Sequence, residues 1–385
     1  MRPSAAAFGL ALGLATITSC LVGSFDVAPS GAGSGGRGDG GSSQSGAGGD
    51  DDPCGHATYP LPPGTTTEGT DEVVVALRRV AFGEDSPTPP GLDLDDTCTC
   101  CCQGEGPSCL QPKTSCDYPE GVDNAVAGLF QLFDIGLVGF GSEEFSQNAE
   151  QGQWSVLLRV RDYNGSGDDD RVELSWLVGL GIFGGLGERL APQWDGEDAW
   201  TVATSSFTAL DGGPADPALG LEGNLPRYVD TKAYVTDHKL VASLPDTELL
   251  LGSGPNRITF HLVGAFVVGE LAQAADGTGL ALTNALLVGQ WRLGDFFDAL
   301  STYRNADGTP FCTDDSLYKV IKPTICGAVD MYSGTATPTT PCDAFSLGMA
   351  FEASSAKLVG VADGSAPTPG CPLATDPAGD SCTAP

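Results

Sequence analysis

The sequence predicts a mostly β domain, a jelly-roll-like β-sandwich with a few short helices and a disulfide-rich periphery. Three observations carry that expectation. Apolar and polar residues alternate along most of the body, the period of strands with one buried face. Glycine is abundant, with 54 in 385 residues, and marks turns between the alternating segments. Thirteen cysteines fall into an early and a late group around a cysteine-free middle. An apolar content of 41% is enough for a sizeable core.

The elements follow in chain order. Val73, Val75 and Leu77 share one strand face. Val122, Val126, Leu129, Phe130 and Phe133 fit a single helical face. Trp154, Val156, Leu158 and Val160 alternate, as do Val172, Leu174, Trp176 and Val178. Period-2 segments continue over Tyr234 to Ala242, Ile258 to Phe266, Leu280 to Leu293, and Phe345, Leu347, Met349 and Phe351. Helical spacing returns at Leu293, Phe296, Phe297 and Leu300, and at Leu317, Val320, Ile321 and Ile325, where Pro323 is expected to kink or end the helix. Turn signals lie at Thr236-Asp237-His238, Ala275-Asp276-Gly277 and Asn305-Ala306-Asp307-Gly308. Eight or more strands joined by such turns point to a sandwich.

The N-terminus carries an address. Arg2 precedes an apolar run from Ala5 to Ile17, too short to span a bilayer but suited to an export signal. The run ends in Ile17-Thr18-Ser19-Cys20, which resembles the lipobox of bacterial lipoproteins. The resemblance implies that residues 1–19 are a signal peptide and that Cys20 is diacylated, with a palmitate-type anchor. Leu21 stands where an Asp would mark inner-membrane retention, so outer-membrane or cell-surface placement is expected. From Ser30 to Gly49, 15 of 20 residues are Gly or Ser. Residues 20–53 therefore read as a flexible tether with a root-mean-square reach of ~30 Å. Residues 54–385 read as one disulfide-clamped domain, with a cysteine-containing tail from about Ala362.

Cysteine parity supports this division. Setting Cys20 aside leaves seven early thiols (Cys54, Cys98, Cys100, Cys101, Cys102, Cys109, Cys116) and five late ones (Cys312, Cys326, Cys342, Cys371, Cys382). Both groups are odd, so complete pairing requires a bridge from one group to the other. The dense run from Cys98 to Cys102 also suits zinc or an iron–sulfur cluster. Oxidised pairing fits an exported chain better, and no second Cys-x-x-Cys completes a four-ligand site.

Fifty acidic residues against 18 basic ones give a formal charge of −32, which excludes nucleic acid as a partner and argues against anionic membrane surfaces. Asp162, Asn164, Ser166, Asp168, Asp170 and Glu173, with Gly167 at the sixth position, match the spacing of a calcium loop. The strand-like flanks, and Asp169 at the normally apolar eighth position, favour a solvated acidic hairpin instead. Asp93, Asp95 and Asp96, with Asp123 and Asn124, form a second acidic candidate if the cysteines bring them together; a helix cap is the simpler role for Asp123 or Asn124. Trp194, Asp195, Glu197, Asp198 and Trp200 place two indoles around three carboxylates, the composition of a sugar-binding loop, although loop tryptophans more often anchor a loop to the core.

Catalytic signatures are scarce. His56, His238 and His261 sit in no metalloprotease or nucleophile motif, and there is no G-x-S-x-G elbow or P-loop. Taken together, Gly91-Leu92-Asp93-Leu94-Asp95, Val122-Asp123-Asn124, Tyr163-Asn164-Gly165, the Trp194–Trp200 loop and Cys342-Asp343-Ala344 resemble an uncharacterised group of exported, often lipidated proteins of myxobacteria, over most of residues 70–360. That resemblance implies export and anchoring and adds no chemistry. The expected function is a surface lipoprotein that binds a ligand or partner, with calcium and a glycan or envelope protein as the candidates. The alternatives are a carbohydrate-active hydrolase on the same scaffold and a purely structural envelope protein.

Overall fold

In the computed structural model the principal strands close into an eight-stranded antiparallel barrel, not the two stacked sheets of a sandwich. The structure describes residues 55–382 apart from 101–105, 114, 137–140, 252–257, 275–276, 278, 306–307, 336 and 365–369. The signal segment, Cys20, the tether, Cys54, Cys101 and Cys102 lie outside the described residues. The described strands are β1 (Asp71–Ala81), β2 (Ser155–Tyr163), β3 (Asp169–Phe183), β4 (Arg189–Leu190), β5 (Ala199–Ala203), β6 (Phe207–Ala209), β7 (Asn224–Pro226), β8 (Tyr228–Thr236), β9 (Lys239–Leu251), β10 (Ile258–Gln273), β11 (Leu280–Arg292), β12 (Ala344–Ser355) and β13 (Lys357–Ala362). Four helices accompany them: α1 (Ala125–Gly136), α2 (Ser142–Glu150), α3 (Leu293–Thr302) and α4 (Ser316–Gly327).

The barrel is two runs of hairpins, β1 to β3 and β8 to β12, joined where β1 pairs β12 and where β3 pairs β8. The jelly-roll expectation fails for a physical reason. Alternation reports which face of a strand is buried and says nothing of which strands are neighbours. The pairings that close the barrel set Val75 opposite Ser355 and Trp176 opposite Tyr228, across stretches of chain that no local pattern encodes.

Inward side chains fill the barrel. Leu158, Leu174, Trp176, Phe260, Leu262, Trp291, Phe345 and Met349 are all fully buried in one continuous cluster. Trp291 packs between Phe260 at 4.1 Å and Phe296 of α3 at 4.7 Å. The lumen is therefore a core and not a pore. The outward faces of β9, β10 and β11 carry exposed Lys239, Ser243, Asp246, His261 and Arg292. Half-buried Val263, Phe266, Val268 and Leu286 lie among them, so these faces mix polar and apolar residues. Among the described residues no helix is long and apolar enough to cross a membrane.

One barrel end is closed by helices. β1 begins opposite Tyr163 and finishes at Ala81; beyond it Phe82 packs on Phe130 of α1 at 4.3 Å and donates its N–H to Ser142 Oγ of α2 at 2.9 Å. Helix α3 leaves β11 at this same end, with Phe296 at 5.3 Å from Phe345. The α1 and α3 faces read from sequence are the buried ones, except that Val122 precedes α1 and it and Leu293 are half-buried. In α4 the buried residues are Tyr318, Ile321 and Ile325, whereas Val320 is exposed. Pro323 does not end α4, which continues to Gly327. The proline lies on the exposed face, where water can satisfy the carbonyl it leaves unpaired. Helix α2 escaped the sequence reading because it is polar except for Phe145 and Ala149, the pair one turn apart that it buries.

The remaining strands form an outer layer. β4 and β5 extend from the far part of β3, β13 runs parallel to β5, and β6 pairs with β7. They bury a second cluster on the outside of the barrel, including Leu157, Leu177, Ile182, Trp200, Val202 and Phe207. Four disulfides have both partners among the described residues and staple the periphery: Cys100–Cys116, Cys109–Cys342, Cys312–Cys371 and Cys326–Cys382. Cys109–Cys342 joins the early group to the late one, as parity requires, and Cys98 is disulfide-bonded as well.

Candidate functional site

The segment after β1 folds back over the helix-closed end and gathers acids from distant parts of the chain. Asp93, Asp95 and Asp123 each bring a carboxylate oxygen within 4.8 Å of the others. Thr97 N–H donates to Asp93 Oδ1 at 3.2 Å and Asp95 Oδ1 at 3.1 Å, and Leu94 N–H donates to Asp123 Oδ2 at 2.8 Å. Ser108 donates to Asp95, and His56 Nδ1 pairs with Asp93, whose side chain has no solvent exposure. Gly121 has φ +70°, and a Cβ there would lie 2.8 Å from Asp93 Oδ2, so this position is closed to larger residues. Asn124 is fixed beside the cluster: its amide donates to the carbonyls of Phe82, Pro90 and Gly348, while its Oδ1 accepts from Ala127 N–H at 3.1 Å and caps α1. The cap expected of Asp123 or Asn124 is thus made by Asn124.

Burial raises the carboxyl groups of this cap above the usual carboxylate range. Burial pushes Asp117 up to about 7, with Asp95 adding repulsion, and full burial pushes Asp330 up to about 7 against the hydrogen bonds from Ser346. Asp123 is raised well above the usual carboxylate range by burial and then by Asp95 and Asp330. The consequence for stability has a definite sign. Below about pH 4 these groups are protonated in both states; as pH rises towards 7 the unfolded chain ionises them while the fold holds their protons, so stability is lost across that window. Thermal melting in EDTA is expected to give a midpoint that falls from pH 4 to pH 7, and Asp330→Asn to flatten that fall. An unchanged slope in the variant would count against the cluster as its source.

The opposite end of the barrel carries the Asp162 hairpin. Of its six candidate residues, Asn164 and Ser166 bring side-chain oxygens together, and the other four turn to separate partners or to solvent. Asp168 accepts from Asp237 N–H at 2.9 Å, and Asp170 accepts from Thr66 N–H at 2.9 Å and Thr66 Oγ1 at 2.6 Å, which lowers its pKa. Glu173 faces Arg161 across the β2–β3 ladder and pairs with it. Asn164 Oδ1 accepts from Ser166, its amide donates to Thr67 and Asp168 carbonyls, and Asp162 is exposed. What the hairpin forms instead is one wall of a recess of about 520 Å³, whose other wall is the segment from Thr66 to Asp71. Glu68, Asp71 and Asp168 supply carboxylates to it, and Thr66, Thr67, Thr70 and Ser166 supply hydroxyls. The sequence reading missed Thr66 to Asp71; a run of hydroxyls and acids just before a strand was the available signal.

The Trp194–Trp200 loop is an anchor. Trp200 is fully buried, 6.0 Å from the Trp194 ring, which in turn carries Arg78 at 5.4 Å and donates Nε1 to Glu150 O at 3.3 Å. Asp198 accepts from Gln193 and Trp194 N–H groups, Asp195 from Glu197 N–H, and Glu197 pairs with Lys357. No protein-family model matches this chain, and neither a curated protein nor a solved structure does. The loop joins the sheet where Trp200 sits opposite Ile182, whereas the hairpin lies at Asp169. These are opposite ends of β3, roughly 40 Å apart along an extended strand, so the two features do not line one surface.

Proposed function

We propose that this chain is an exported, lipid-tethered binding module that presents the recess at its open barrel mouth to a hydroxyl-rich glycan. The observation that carries this reading is the recess between Thr66–Asp71 and the Tyr163–Asp168 hairpin. Its carboxylates and hydroxyls accept and exchange hydrogen bonds with sugar hydroxyls, and it lies on the scaffold end not closed by helices. The filled lumen leaves ligand recognition to the outside of the barrel, and the disulfides suit an oxidising compartment. The lipobox-like Ile17–Cys20 segment supports anchoring at Cys20.

Glycan-array capture followed by calorimetry tests the ligand. Glu68→Ala and Thr67→Ala are expected to weaken binding about tenfold each, equivalent to ~1.4 kcal/mol, with no change in melting temperature. Capture by the variants equal to that of the parent overturns the recess as the site. Capture of nothing favours a purely structural envelope role, and release of shortened sugars favours a hydrolase. In this reading calcium, the expected cation, is assigned to Asp93, Asp95 and Asp123, which bring carboxylate oxygens within 4.8 Å of one another. An EDTA-insensitive melting midpoint at pH 8 removes calcium from the reading.

A further inference from the structure

The hairpin joining β3 to β4 lies at the helix-closed end of the barrel and is one of the parts of the outer layer with apolar side chains in solvent, as are Leu210, Leu219, Leu225 and Val359. Leu186 at its apex is 97% exposed, Phe183 41% and Leu190 42%. The turn is made by glycine: Gly184 N–H donates to Glu188 O at 2.8 Å, and Gly187, with φ +81°, donates to Gly184 O at 2.9 Å. In the β3–β4 register Ile182 faces Leu190 and Phe183 faces Arg189. Leu190 and Phe183 therefore occupy opposite faces of the hairpin, with Leu186 between them at the tip. A protein partner docking on a hairpin covers one face; apolar groups on both faces and at the apex fit immersion in an apolar medium.

Charge and position favour the same medium. The tip holds one acid and one base: Glu188 accepts from Leu186 N–H at 3.0 Å, and Arg189 lies over the Phe183 ring at 5.3 Å with Nη1 donating to Gly152 O at 2.7 Å. On a chain of formal charge −32 this neutral projection is well suited to approaching an uncharged surface. The first described residues also enter at this end. Ala57 N–H donates to Glu120 O at 2.8 Å, and Asp93 N–H to Ala57 O at 2.9 Å, within the cap that Asn124 ties to Phe82 at the finish of β1.

We propose that the Phe183–Leu190 hairpin inserts its tip into the zwitterionic or uncharged lipid surface to which the chain is anchored, fixing the recess outward. The inference rests on the lipid-tether reading, and its test separates the two. The full chain carrying Leu186→Trp and an N-terminal hexahistidine tag is held on phosphatidylcholine vesicles through nickel-chelating lipid, so that attachment does not depend on acylation. With brominated acyl chains in the vesicles, the added indole is expected to show blue-shifted emission and quenching about twofold or more above that of the tagged parent. Solvent-like emission from the vesicle-bound variant overturns the proposal. A second variant, Leu186→Asp, is expected to melt as the parent does, yet to leave the recess end accessible to a lipid-side quencher that the parent excludes; equal accessibility in both chains also overturns it. Mass spectrometry of Cys20 in the exported protein reads the anchor independently, so its failure is distinguishable from failure of the hairpin.

Discussion

Replacing Cys109 and Cys342 together by alanine is expected to lower the unfolding free energy by about 5 kcal/mol, the largest effect of any paired change in the periphery. The bridge spans a sequence separation of 233, with Cα atoms 5.3 Å apart, so it removes a large loop-closure entropy from the unfolded chain. Cys312–Cys371 and Cys326–Cys382 close separations of only 59 and 56 and lock a tail already held by Asp380, which accepts from Tyr318 OH at 2.8 Å and Lys322 Nζ at 2.6 Å. Urea denaturation under oxidising conditions checks the ranking: the midpoint should fall furthest for the Cys109/Cys342 double variant. A smaller fall than for the tail bridges would mean that the unfolded chain is already compact around that contact.

Asn124→Ala is expected to cost about 3 kcal/mol, far more than the removal of a surface amide. Asn124 is 2% exposed and joins three elements at once, through the carbonyls of Phe82 after β1, Pro90 in the acidic cap and Gly348 in β12. Truncation leaves buried acceptors without a donor and strips the cap from α1. Asn124→Asp separates these effects. The carboxylate still accepts from Ala127 N–H but cannot donate, and it adds an acid beside Asp123. This variant should therefore be the less stable of the two at pH 8 and recover relative to alanine at pH 4. Equal pH profiles for the two substitutions would show that the donor bonds alone matter.

Much of this architecture was legible in local pattern. Val156, Leu158 and Val160 announce a strand with a buried face, and Val126, Leu129, Phe130 and Phe133 announce a helix, because each depends on a period visible within a dozen residues. Closure was not legible, since it depends on Trp176 meeting Tyr228 and Val75 meeting Ser355. The acidic cap was half visible: Asp93, Asp95 and Asp123 are near in sequence, whereas Asp330 comes from the segment before β12, far along the chain. The hairpin at Asp162 carries the spacing of a calcium loop, but spacing does not say where side chains turn. Asp170 turns to Thr66 and Glu173 to Arg161, contacts set by the strap before β1 and by strand register.

The β1–β12 seam has a consequence for how the chain comes to be folded. A chain emerging N-terminus first, from a ribosome or a translocon, presents β1 and β2 long before β12 exists, and β1 stays an open edge until almost the whole body has appeared. The β3 edge waits similarly for β8. Such long-range closure makes for slow folding and leaves adhesive strands exposed meanwhile. Cys109 must also remain unpaired, or pair wrongly and be reshuffled, until Cys342 arrives. Folding of this chain is therefore expected to be slow, with the β1 and β3 edges the last to be covered.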